Sequence, residues 1–140
     1  MIRRLTPLLL ISAFLFATNA NAAAAAPQFK IKNNSPVALI NDAAATAIWN
    51  ENLPAKLAKV YPIKKWGYLS EVNGGFDDHK VCVVAARAMM VPVAGKKFIY
   101  EPRKVAATIG TQAGATPEQC SALAKAKLKE AVHSVVASLE

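Results

Sequence analysis

The sequence predicts an α+β domain: a three- to four-stranded antiparallel sheet, N-terminal helical segments before it, and a long C-terminal helix packed on one face. Three observations carry that expectation. Residues 66–72 and 80–91 alternate with the two-residue period of strands. Residues 116–139 repeat with a helical period behind a strong start signal. The two cysteines, Cys82 and Cys120, fall one in the long strand and one in that helix.

The first 22 residues, MIRRLTPLLLISAFLFATNANA, stand apart from the rest. Arg3 and Arg4 precede an apolar run from Leu5 to Ala17, and Ala20-Asn21-Ala22 offers small residues where a signal peptidase cuts. This is the layout of a cleaved secretory signal. The run has 13 residues and contains Pro7, too short for the about 20 residues that cross a bilayer core. Cleavage after Ala22 would leave residues 23–140 as a single small domain, with 23–28 a flexible tail. Losing Arg3 and Arg4 lowers the net charge from +8 to +6. The expected location is the periplasm or the exterior, and no later stretch is apolar enough to span a membrane.

Phe29 to Lys32 alternates as a short strand and is stopped by Asn33-Asn34-Ser35-Pro36. Asn41 or Asp42 caps a helix over Ala43 to Trp49. Pro54 separates it from a second helical stretch, Ala55 to Tyr61, which Pro62 ends; these are one kinked helix or two short ones. Trp66 to Val72 then reads as a strand with Trp66, Tyr68 and Val72 on one face. Asn73-Gly74-Gly75 predicts a tight turn, and Asp77-Asp78 extends the loop. Lys80 to Val91 is a longer strand. Its even positions, Cys82, Val84, Ala86, Ala88 and Met90, carry no polar side chain and should face the core. Pro92 to Gly95 is the next expected turn, Lys96 to Tyr100 a third strand that resumes past Pro102 as Val105 to Ile109, and Gly110 to Ala115 a flexible connection. Thr116, Pro117 and Gln119 then supply a cap, a first-turn proline and a capping box. The helix should run from Glu118 to about Ser138, burying Cys120, Ala124, Leu128, Ala131, Val135 and Leu139, with Leu123 and Val132 beside them.

Export favours pairing the cysteines. A Cys82–Cys120 disulfide would close 38 residues and requires the two α-carbons to lie within about 7 Å. That demand places the last helix's first turn on the even face of the long strand.

Catalytic patterns are weak. Asp77, Asp78 and His79 read as a solvated loop, because consecutive residues rarely converge on one ion and no zinc spacing is present. His133 falls off the apolar stripe of its helix. No serine lies in a Gly-x-Ser-x-Gly elbow, no glycine-rich phosphate loop occurs, and no cofactor is implied. Positive charge is the feature with functional content. Lys56, Lys59, Lys64 and Lys65 surround Tyr61 and Trp66, while Lys96, Lys97, Arg103 and Lys104 surround Phe98 and Tyr100. If the two groups converge they make a cationic surface with aromatic anchors. Arg87 is the lone charge in the long strand, placed to pair with Glu71 or Glu101. The residues expected to bind are therefore Trp66, Tyr68, Asp77, Asp78, His79, Arg87, Lys64, Lys65, Lys96 and Lys97, with Trp66 and Tyr68 available only if the helices leave their face open.

The expected function is a small exported binding protein without catalytic activity, of an inhibitor or immunity type. Its partner would be an envelope protein or an anionic envelope polymer; export argues against nucleic acid. The alternatives are a small envelope hydrolase with a site assembled only in the tertiary structure, and a structural or assembly factor that self-associates through an open sheet edge.

Overall fold

The computed structural model describes residues 28–140, so the expected signal, its cleavage site and nearly all of the tail lie outside the described residues. Within them, chain order gives β1 (Ile31–Asn33), α1 (Asp42–Asn52), α2 (Leu57–Val60), β2 (Trp66–Phe76), β3 (Val81–Ala94), β4 (Lys97–Phe98), β5 (Lys104–Ala113) and α3 (Pro117–Ala137). β3 is the spine: β2 lies antiparallel along one side, while β5 and then β4 lie antiparallel along the other. β1 joins the outer side of β2 in parallel, Ile31 beside Tyr68. The α+β class, the antiparallel-rich sheet and the long C-terminal helix are as the sequence predicts; β1 overlaps the short strand expected at Phe29 to Lys32, and only its parallel pairing on β2 is unforeseen.

Alternation along β3 decides which face is covered. Cys82, Val84, Ala86, Ala88 and Met90 are buried under α1 and α3, and Tyr68, Ser70 and Val72 of β2 join them. Small alanines there let α3 approach closely. Trp49 closes the core from α1, its ring 5.0 Å from that of Tyr68 and its indole N–H donating to the Ser70 hydroxyl at 2.8 Å. That bond satisfies a polar group taken fully out of water. Asn41 caps α1, accepting from the Ala44 N–H at 2.8 Å, and Pro54 separates α1 from α2 as two helices. Thr116 and Gln119 form the capping box of α3. The helix buries Cys120, Ala124, Leu128, Ala131, Val132 and Val135 as expected, and Val136 as well.

The Cys82–Cys120 disulfide is present with α-carbons 5.6 Å apart. It fixes the first turn of α3 to the inner face of the sheet, where both cysteines are buried.

Two expected turns and one expected flexible connection are partly strand instead, although Gly95 and Lys96 still make the turn into β4. Asn73-Gly74-Gly75 stays within β2, because Gly74 serves a close approach: a β-carbon there would stand 2.0 Å from the Val83 carbonyl oxygen. The hairpin turns later, at Asp77 to Lys80, with Lys80 in the left-handed region (φ 59°). β3 continues through Pro92, because that residue turns its nitrogen away from β2 and sacrifices no bond to it. β5 runs to Ala113 through Gly110, whose missing side chain leaves room for Leu123 and Lys127 of α3. The third strand shrinks to the two residues of β4, because after the Ile99 N–H bonds to the Pro92 carbonyl at 2.9 Å the chain leaves β3 and crosses the outer face to reach Asn34 through Tyr100.

Candidate functional site

Among the described residues, no helix covers the outer face of the sheet. Residues 96–103 cross one end of it as a strap. Phe98 lies over Gly67 and packs on Leu69, Met89 and Val91 as a small second core; a β-carbon at Gly67 would meet the Phe98 ring at 2.5 Å. Further along, the Tyr100 hydroxyl sits 2.6 Å from the donating amide of Asn34 and 3.2 Å from Lys32 Nζ, so the strap reaches across to β1. Those two bonds stabilise the phenolate and hold Tyr100 below its ordinary pKa, the Asn34 bond being the larger cause.

Strand direction gathers charge at this end. β1 and β2 start here, β3 ends here and β5 starts here, which brings Lys30, Lys32, Lys64, Lys65, Lys96, Lys97, Arg103 and Lys104 to one side of the molecule. Backbone and side-chain bonds fix the juxtaposition. The Val93 N–H donates to the Lys65 carbonyl at 2.8 Å, Lys30 Nζ to the Gly95 carbonyl at 2.8 Å, and the Arg103 N–H to the Met90 carbonyl at 2.9 Å. Lys30 and Lys32 stand 5.3 and 5.9 Å from the Phe98 ring centroid, where the ring's negative face attracts them. Among the described residues, none of these eight cations forms an ion pair. Lys56 does not join them, its ammonium being paired with Glu140 at 2.9 Å.

The remaining predicted residues separate. Trp66 is half-buried on the inner face, edge-on to Tyr61 with ring centroids 6.1 Å apart. Tyr68 is 1% exposed in the core, which removes it from any contact surface; α1 covers the face on which it stands. Its hydroxyl has no hydrogen-bond partner among the described residues, and burial, with a smaller contribution from Tyr61, pushes its pKa up to about 12. Asp77, Asp78 and His79 occupy the exposed hairpin at the opposite end of the sheet. There Asp77 builds the turn, its carboxylate accepting from the N–H groups of His79 at 2.9 Å and Val81 at 2.8 Å. Arg87 pairs with Glu71 at 3.1 Å in the middle of the outer face, beside a cleft of about 220 Å³ walled by Met89, Val91, Tyr100 and Pro102.

His133 opens onto a groove of about 260 Å³ with Asn52, Pro54 and Glu140. The Glu140 carboxylate is solvated and already held by Lys56, so the groove offers no desolvated acid of the kind glycoside hydrolysis uses. Among the described residues no group of three or more His, Cys, Asp and Glu side chains gathers to hold a metal. No helix among them is long and apolar enough to cross a membrane.

Sequence reasoning missed two features of the outer face. Lys30 and Lys32 belong to the cationic end, and β1 alternation was the signal that could have placed them there. The exposed apolar residues Val83, Val105 and Ile109, 36%, 53% and 71% exposed, lie on the uncovered side of β3 and β5. Compared with known protein families and with curated proteins, the chain matches none.

Proposed function

We propose that this chain is a small exported binding protein, without catalytic activity of its own, that recognises an acidic surface on another envelope or secreted macromolecule. The recognising surface is the cationic end of the sheet, with Phe98 and Tyr100 as its aromatic part. One observation carries the reading: the strand register brings the Lys64–Lys65 and Lys96–Lys97 groups together, with Lys30, Lys32, Arg103 and Lys104 beside them, and among the described residues all eight are free of ion pairs. Concentrated charge of one sign raises the local concentration of an oppositely charged partner and speeds its capture.

The test is capture from envelope extract by the chain spanning residues 23–140, followed by mass spectrometry and a salt series. The reading expects a specific acidic protein or polymer whose binding weakens steeply between low and physiological salt. It also expects that binding to be lost when Lys65 and Lys97 are both changed to Glu. Capture that is indifferent to salt and to this double reversal overturns it. Turnover of an envelope substrate that fails when His133 is replaced would move the assignment to the hydrolase reading.

A further inference from the structure

The two edges of the sheet are finished differently. β1 is three residues long, and its Asn33 side chain bonds to Asp42 at the start of α1. Asn34 and Ser35 complete the edge of β2 beyond it, the Asn34 N–H donating to the Ser70 carbonyl and the Val72 N–H to the Ser35 hydroxyl. Pro36 follows. These are ordinary means of closing an edge. β5 has none of them. It is ten residues long, contains no proline and no bulge, has no charge from Val105 to Ala113, and among the described residues pairs only with β3.

The register identifies which backbone groups of β5 are open. In an antiparallel ladder a residue turns its N–H and C=O to the same side, and neighbours alternate. Val93 bonds to Lys65 and Val81 to Asp77, so odd-numbered residues of β3 use their amides on β2. Its even-numbered residues therefore face β5, where Ala88 stands beside Ala106, Ala86 beside Thr108 and Val84 beside Gly110. Val105, Ala107, Ile109 and Thr111 must turn theirs outward. The strand that presents them is held firmly from the inner face, where the Thr108 hydroxyl donates to the Lys127 carbonyl of α3 at 2.7 Å.

We infer that β5 is a homodimerisation edge, pairing antiparallel with β5 of a second copy across a two-fold axis at Ala107. This inference is independent of the acidic-partner reading. That register gives about six new N–H···O=C bonds, from Val105, Ala107 and Ile109 of each copy. It also sets Val105 of one copy opposite Ile109 of the other, twice, covering the most exposed apolar side chains of the strand. Charge favours a second copy in this orientation. The cationic start of each strand, Arg103 and Lys104, meets the uncharged Gly110 and Thr111 of its partner. The hairpin carrying Asp77 and Asp78 lies at the end of each sheet that points toward the other copy's cations.

The experiment is sedimentation of the chain spanning residues 23–140 from about 1 µM to about 500 µM, with amide hydrogen exchange followed by NMR at both ends of the range. The inference expects a monomer–dimer transition in which the amides of Val105, Ala107 and Ile109 gain protection with concentration. Those of Ala106, Thr108 and Gly110, bonded to β3, should be protected throughout. Ala107→Pro removes an outward N–H and no bond to β3, so it should abolish the dimer and keep the fold, whereas Ala106→Pro should destabilise the monomer. Ile109→Lys, at an exposed position where the monomer folds unaltered, should weaken the dimer about tenfold or more. A monomer throughout the range overturns the inference, as does a dimer that survives Ile109→Lys unweakened.

Discussion

Breaking the Cys82–Cys120 bond should cost the fold about 4 kcal/mol. The bond separates residues 38 positions apart, and closing a loop of that length in the unfolded chain removes entropy worth about this much at room temperature. Little is regained or lost on the native side: both cysteines are buried, and free thiols behave there as small apolar groups in the contacts they already occupy. The native structure should therefore survive reduction with a smaller margin, from a total that for such domains is about 5–15 kcal/mol. The assay is urea unfolding followed by circular dichroism, comparing oxidised protein, reduced protein and the Cys82→Ala/Cys120→Ala variant. With a slope of about 2 kcal/mol per molar urea, the midpoint should fall by about 2 M. The thermal midpoint should fall by roughly 15 °C. A loss below about 1 kcal/mol would refute the argument that this bond restrains the unfolded chain. So would two free thiols in protein isolated from its native compartment.

Two other perturbations test the core and the strand pair. Tyr68→Phe removes a buried hydroxyl that has no hydrogen-bond partner among the described residues and should stabilise the protein by about 1 kcal/mol near neutral pH. It should also change the alkaline limb of stability. The folded pKa of Tyr68 is raised from 10.0 to about 12, so its contribution is whole below pH 10 and lost as pH climbs toward 12. Urea melts between pH 9 and 12 should fall less steeply for the Phe variant, and parallel slopes would refute the assignment. Gly74→Ala forces a β-carbon to within 2.0 Å of the Val83 carbonyl at a φ of 136° and should cost at least about 3 kcal/mol. Gly75→Ala, with open space around it, should cost visibly less in the same urea assay.

What the sequence disclosed and what it concealed divide on physical lines. The capping box at Thr116 and Gln119, the burial of even positions in β3, and the cysteine tie were legible because each is a local or covalent signal. The disulfide added a distance, and that distance named the face on which α3 sits. The turn expected at Asn73-Gly74-Gly75 and the flexible connection expected from Gly110 are strand for one reason. Glycine marks a place where a side chain cannot stand, and the sequence does not say whether chain reversal or a close neighbour forbids it. Here a carbonyl of β3 and two side chains of α3 do so. Tyr68 shared its alternation with Trp66, and only the packing of α1 separated a core residue from a half-buried one. The cationic groups were visible as clusters, but their convergence depended on pairing residues 65 and 93, a register fixed by tertiary structure.

Pairing at β5 and recognition at the cationic end are compatible because of where the axis falls. Ala107 stands opposite Arg87, and Lys65 stands opposite Val93, six residues further along β3. At about 3.4 Å per residue, Lys65 lies roughly 20 Å from the axis along the strands and the two copies' Lys65 roughly 40 Å apart, while Lys104 and Arg103, three and four residues from Ala107, lie about 10 and 14 Å from it. The screening length at physiological salt is about 8 Å, so a net positive charge on each copy does little to oppose dimerisation through this edge. The same separation makes the pair bivalent. A long anionic polymer or a symmetric acidic protein would engage both ends, and its apparent affinity would rise with dimer formation through effective concentration alone. A single small acidic domain would engage one end and bind Ile109→Lys as tightly as the unaltered chain. Comparing the two proteins against the captured partner therefore distinguishes a bivalent grip from two independent sites, without any change to the lysines that make the contact.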